Sequence, residues 1–119
     1  MVALVTGAAG FIGSQVAEAL HNTGVSVRAI DCFTPYYDPA IKRRTAAELA
    51  EQGIAVSDVD LRTADLSTLL RDVQHVFHCA AQPGVRASWE SGFETYVEQN
   101  VLVTQRLLEA CRQTDVDRF

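Results

Sequence analysis

The chain has 119 residues, 48% of them hydrophobic, and a formal net charge of −5. That is enough apolar material for one small domain with a real core, and the acidic balance excludes nucleic acid as an expected partner, since nucleic acid rewards a basic face. No apolar run approaches the ~20 residues that span a bilayer, and no Lys or Arg precedes Arg28, so neither a membrane span nor an export signal is expected and the cytoplasm is the expected location.

In chain order, residues 1–6 are a short apolar run ending at glycine, which suits a strand buried on both faces. After a glycine-rich turn, Ile12, Val16, Ala19 and Leu20 recur at helical spacing until Asn22-Thr23-Gly24 stops them. Residues 25–31 read as a second strand, and residues 32–39, with two prolines and paired tyrosines, as a loop. A helix is expected over 40–52; its run Lys42-Arg43-Arg44 is read as a solvated face. Alternation over 54–61 predicts a third strand, 67–71 a short helix, and 73–79 a fourth strand. The last helix, 93–112, carries two apolar stripes: Val97, Val101, Leu108 and Cys111 on one, and Phe93, Tyr96, Val103, Leu107 and Ala110 on the other. One stripe should meet the sheet. The other, to which Val103 and Leu107 are assigned, should meet further protein or a partner chain. Strands alternating with helices imply an α/β fold with a parallel sheet and right-handed crossovers, built as one unit over 1–119.

Gly7, Gly10 and Gly13 sit between the first strand and the first helix, with Asp31 at the end of the second strand. This is the context in which such glycines hold a dinucleotide. Gly7 permits the turn out of the strand, Gly10 lets a pyrophosphate approach the backbone, and Gly13 lets the helix pack on the sheet. The helix amides and dipole then favour the phosphate charge. Asp31 would accept hydrogen bonds from the adenosine ribose hydroxyls and repel a 2′-phosphate, so NAD is expected over NADP. The plainer alternatives are glycines that only shape a turn and an aspartate that only forms one.

Five stretches carry a family resemblance. The stretch TGAAGFIGS, with glycines spaced three and three, resembles the extended short-chain dehydrogenase/reductase family of NAD-dependent epimerases and dehydratases. VDLR at 59–62, HCAAQPGVRASW at 78–89 and QNVLVT at 99–104 resemble its later cofactor motifs. DCFTPYYDPAIKRR at 31–44 is similar to a loop of UDP-glucuronate 4-epimerases and close relatives, with Cys32 where that loop usually has Asn. The resemblance implies a Rossmann-like sheet of strand order 3-2-1-4 with flanking helices. It also implies NAD contacts from Gly7, Ala9, Gly10, Phe11, Ile12, Gly13, Asp31 and Cys32. Asp60 and Leu61 would bracket the adenine, Ala80, Ala81 and Gln82 would run along the nicotinamide ribose, and Asn100 would be the family's structural asparagine. The implied activity is 4-epimerisation or dehydration of a UDP-hexose or UDP-hexuronate by way of a 4-keto sugar, with a Tyr base and a Lys that lowers its pKa.

That pair occurs in the family as Tyr-x-x-x-Lys, and here it is absent. The only lysine is Lys42, preceded four positions earlier by Asp38, and Tyr36, Tyr37 and Tyr96 are followed at that distance by Ala40, Ile41 and Asn100. No catalytic residue is therefore assigned. The chain is expected to be the N-terminal part of such an enzyme, reaching the start of a fifth strand at Arg118-Phe119, inactive alone and without the sugar domain. Self-association, as a homodimer or otherwise, is expected through the second helix stripe and the open edge of the fourth strand. Arg86 is either a contact for substrate phosphate or carboxylate, or a loop arginine paired with Glu90 or Glu94. Trp89 is read as packing, and Cys32, Cys79 and Cys111 as free thiols. His75, His78 and Cys79 are not read as a metal site, because positions three apart on a strand face opposite ways. The competing functional reading is a stand-alone dinucleotide-binding regulator or redox sensor.

Overall fold

Four parallel strands, β1 (Val2–Thr6), β2 (Ser26–Asp31), β3 (Val56–Asp58) and β4 (His75–His78), lie side by side in the order β3-β2-β1-β4 in the computed structural model, which describes residues 1–119. The expected order 3-2-1-4 is the observed one. β1 is central, hydrogen-bonded to β2 on one side and β4 on the other, and Ala3, Leu4, Val5 and Thr6 are all fully buried. A strand covered on both faces has no polar side to alternate with, which is why its sequence reads as continuous apolar residues.

Successive residues of β1 divide the core in two. Leu4 joins Ile30, Leu66, Leu70, Val76, Val103 and Leu107 on one face; Val5 joins Ala8, Ala17, Ala29, Leu49 and Ile54 on the other. The first face is covered by α3 (Leu66–Leu69) and α5 (Val103–Cys111), the second by α1 (Phe11–Asn22) and α2 (Pro39–Glu51). α2 begins one residue earlier than its pattern suggests, since Asp38 caps it through a 2.9 Å bond from the Ala40 amide and Pro39 fits the first turn. No helix is long and apolar enough to cross a membrane.

Several expectations need correction. β3 is three residues long, not eight. Ile54 is buried but closes the turn after α2, its amide bonding to the Leu49 carbonyl, and the chain turns away again at Asp60, whose carbonyl accepts from Thr63 and Ala64. The edge of β4 is covered at its start and open beyond it, since no backbone bond reaches the His78 amide. Residues 117–119 run beside β4, with the Asp117 amide on the Gln74 carbonyl at 2.8 Å and the Val76 amide on the Arg118 carbonyl at 2.9 Å, in a parallel bridge between His75 and Arg118.

The largest correction concerns the last helix. α4 (Phe93–Tyr96) runs without a break through a π-helical stretch, Val97–Leu102, into α5. A π turn holds an extra residue and shifts the helical phase, so stripes drawn at constant spacing across it mix faces. Val103 and Leu107 belong to the sheet-facing core, with Ala110 and Cys111 packed beside them, whereas Phe93, Val101 and Leu108 are exposed. Val103 and Leu107 therefore cannot form the partner-facing stripe.

Candidate functional site

The site lies at the carboxyl ends of β1, β2 and β4, where the chain leaves the sheet in three adjacent turns. Gly7 follows β1 at φ +67°, and a Cβ there would stand 2.8 Å from both the nitrogen and the Cα of Ala80. This is where the turn after β1 and the segment after β4 touch. Three residues into α1, a Cβ on Gly13 would lie 2.1 Å from the Gly7 carbonyl oxygen, so the helix backbone rests directly on the turn. Gly10 differs: an added Cβ would meet only that same oxygen, at 3.1 Å, and its other side is free for a ligand.

α1 starts without a side-chain cap and without an acidic residue in its first turn. Its first helical hydrogen bond is donated by Ser14 to the Gly10 carbonyl at 3.0 Å, which leaves the amides of Phe11, Ile12 and Gly13 without acceptors. The Phe11 and Ile12 side chains beside them are exposed. Bare amides at the head of a twelve-residue helix are an anion site supplied by the backbone alone.

Asp31 ends β2, buried, with both carboxylate oxygens engaged. Oδ2 accepts from the Ala9 amide at 3.0 Å and Oδ1 from the Phe33 amide at 2.8 Å. The carboxylate thus pins the glycine turn to β2 and reverses the chain at Phe33, whose φ is +51°. Each oxygen retains a further lone pair for a hydroxyl. The sequence showed the acceptor; its structural work on the turn became visible only in three dimensions. The following loop is held by Lys42, which is buried and donates to the Thr34 carbonyl and hydroxyl at 3.0 Å, with its ammonium 4.7 Å from the centre of the Tyr37 ring. Lys42 is not part of a solvated face, and Arg43 pairs with Asp58 while stacking 3.6 Å over Phe33. Arg43 remains exposed, and Arg44, paired with Glu48, is exposed as well, so the solvated-face reading fails for Lys42 alone.

Cys32 is half-buried beside this carboxylate. Burial, then Asp60 and Asp31, push its thiol pKa up, so it stays a neutral thiol. Asp60 is bridged by Arg62 through Nε at 3.1 Å and Nη2 at 2.8 Å, and these hydrogen bonds hold its carboxyl below the usual range. Arg62 also approaches Glu98; it was not singled out from sequence, although it stands only two residues beyond Asp60. Leu61 corrects an expectation, because its side chain is buried in the core and cannot bracket a base. Its backbone amide has no hydrogen-bond partner within the chain.

On the other wall, the Ala80 amide donates to the Thr6 hydroxyl at 3.1 Å. Gln82 is clamped by Asn100, which accepts from the Gln82 amide at 2.7 Å and donates to its carbonyl at 3.0 Å. Asn100 therefore acts on the backbone of this wall from the helix behind it. Tyr96 donates to the Pro83 carbonyl at 2.7 Å and holds the next residue. Ala81 lies between these anchors, exposed. Arg86 is exposed on a turn and makes no ion pair with Glu90 or Glu94. The described site thus joins Gly7, Ala9, Gly10, Phe11, Ile12, Gly13, Asp31 and the 80–82 segment.

Residues 3–119 match the model of the NAD dependent epimerase/dehydratase family. The chain is 45% identical, over 92% of its length, to UDP-glucuronate 4-epimerase 1 of Arabidopsis thaliana, of which it covers 26%. It is 43% identical over its whole length to an uncharacterized UDP-glucose epimerase of Bacillus subtilis, of which it covers 38%. Among solved structures, UDP-glucuronic acid 4-epimerase from Bacillus cereus in complex with UDP-glucuronic acid and NAD superposes with a TM-score of 0.91 at 43% identity, over 98% of this chain and 38% of that one. The chain thus spans between about a quarter and two fifths of the length of these relatives.

Proposed function

The chain belongs to the NAD dependent epimerase/dehydratase family, and on that premise we propose that it is the NAD-holding part of a UDP-sugar 4-epimerase. The observation that carries this reading is the head of α1, where three amides without acceptors sit beside a turn that the buried Asp31 fastens in place. An uncapped helix terminus next to a buried carboxylate suits a molecule that carries both a pyrophosphate and a ribose diol.

In this reading the amides of Phe11, Ile12 and Gly13 hold the pyrophosphate, with Gly7, Ala9 and Gly10 shaping its approach. Asp31 takes the adenosine ribose hydroxyls, with the Cys32 thiol beside it as a weak donor. Asp60 and the Leu61 amide face the adenine, and Ala80, Ala81 and Gln82 flank the nicotinamide ribose. Bound NAD supplies reversible hydride acceptance at C4 of the sugar. The chain's own residues bind and orient it; none among the 119 forms a Tyr-x-x-x-Lys pair to move the proton.

UDP-glucuronate is the substrate we favour for the whole enzyme, because relatives at 45% and 43% identity carry that activity in their names. The Bacillus subtilis relative, at 43%, keeps UDP-glucose as the second reading. Enzymes as relatives favour this function over a stand-alone dinucleotide sensor. The reading is tested by titrating the chain with NAD and NADP in parallel. Tighter binding of NAD, weakened by Asp31→Ala, supports it, and equal affinity for the two cofactors refutes it.

A further inference from the structure

We infer that His78 is a positioning residue, tying the two walls of the candidate NAD cleft together through a chain of hydrogen bonds with one allowed direction. The inference rests on the cofactor reading of that cleft. Its geometry does not.

Thr6, fully buried at the end of β1, has its hydroxyl 2.7 Å from His78 Nδ1 and 3.1 Å from the Ala80 amide. On the far side of the ring, Nε2 is 3.1 Å from the Thr104 hydroxyl, which in turn lies 2.6 Å from the Asn100 carbonyl. The last contact fixes the direction. A carbonyl oxygen only accepts, so the single Thr104 proton goes to Asn100, and Thr104 must accept from Nε2–H. With Nε2 protonated and the ring neutral, Nδ1 is an acceptor and takes the Thr6 proton, while Thr6 accepts from the Ala80 amide. The opposite tautomer would leave the buried Thr6 proton without an acceptor and put two acceptors face to face at Nε2. Only one tautomer satisfies every group. Burial also lowers the His78 pKa, which favours the neutral ring this arrangement needs.

The chain links what the cleft needs in register. Thr6 immediately precedes Gly7, the residue in closest approach to Ala80. Asn100 clamps Gln82 with its side chain and is itself anchored through its carbonyl by Thr104. His78 thus spans from the glycine turn on β1 to the helix that holds the opposite wall, and transmits position without reaching the cleft itself.

The test uses the 119-residue chain with two readouts that need no turnover. Long-range proton–nitrogen NMR of the 15N-labelled imidazole near neutral pH should show one neutral tautomer, with Nε2 protonated and Nδ1 bare. Amide exchange should then be compared in Thr104→Val and in His78→Gln, whose amide can reach Thr104 and leaves Thr6 unpaired. Both variants should speed exchange at Ala80 or Gln82 about tenfold, the factor for one net hydrogen bond, and weaken NAD by about the same factor. A protonated Nδ1, or unchanged exchange at both amides in both variants, overturns the inference. A wild-type chain that binds no NAD refutes the cofactor reading instead, and the tautomer and exchange results decide the relay on their own.

Discussion

Asp31→Asn separates the two tasks of one carboxylate. In the wild type, Oδ2 accepts from the Ala9 amide and Oδ1 from the Phe33 amide, and the residue is buried. Asparagine keeps the shape but has one acceptor oxygen, so one of these amides must face an NH2 group. A buried donor left without an acceptor costs ~1–3 kcal/mol. At about 4 °C per kcal/mol for a domain near this size, the melting temperature should fall by roughly 4–12 °C. The same change removes the negative charge expected to repel a 2′-phosphate, so the preference for NAD over NADP should shrink, by about tenfold for each ~1.4 kcal/mol of repulsion removed. Thermal melts without ligand give the first quantity, and paired NAD and NADP titrations the second. A variant that melts with the wild type would show that the two amide bonds do not hold the turn. A variant whose cofactor preference is unchanged would remove Asp31 from the ribose site.

The 119-residue chain should convert neither UDP-glucose nor UDP-glucuronate, because it holds no Tyr-x-x-x-Lys pair to do acid–base work typically worth ~10²–10⁴-fold; turnover by pure protein refutes this. Leu107→Ala should destabilise by ~2–5 kcal/mol in denaturant titration, since the side chain is fully buried against the sheet; a near-wild-type midpoint would return Leu107 to a solvent or partner face. Self-association, if it uses the last helix, should respond to Val101→Glu and Leu108→Glu in light scattering with folding intact, and a dimer untouched by both rules out that face. For pH, burial lowers the His78 pKa from its ordinary 6.5, so the unfolded chain binds the extra proton first. The ring faces Thr6, Thr104 and the Phe119 ring at 5.8 Å, with no charged side chain contributing to the shift. Stability should hold above pH 6.5 and decline below it until the folded ring protonates, and His78→Gln should flatten that decline; identical pH profiles in thermal melts would contradict it.

The parts of the molecule written in local pattern were legible in the sequence. A doubly covered strand needs an unbroken apolar run, and residues 1–6 have one. A turn with a positive φ and a helix resting on it needs glycine at 7 and 13, and an acceptor at a strand end needs a carboxylate at 31. Each requirement falls on a residue and its immediate neighbours, so spacing and residue type carried the parallel α/β fold and the glycine and aspartate positions of the candidate site, while the strand order 3-2-1-4 and the other candidate contacts came from the family resemblance.

What escaped depends on partners distant in sequence or on helix phase. Lys42 sits in a basic run that reads as surface until the loop it tethers folds over it. Leu61 stands beside Asp60 in one motif, yet its side chain faces the core and only its amide is left without a partner. Val103 and Leu107 changed sides because the π turns at 97–102 shift the helix phase, and backbone hydrogen-bond register leaves no mark in residue spacing. Thr6 and His78 are 72 positions apart, and Thr104 a further 26 beyond. All three lie in stretches that carry the family resemblance, yet nothing in those stretches shows that their side chains meet. Their protons acquire a direction only when the fold brings a donor to one side and an acceptor to the other side of a half-buried ring.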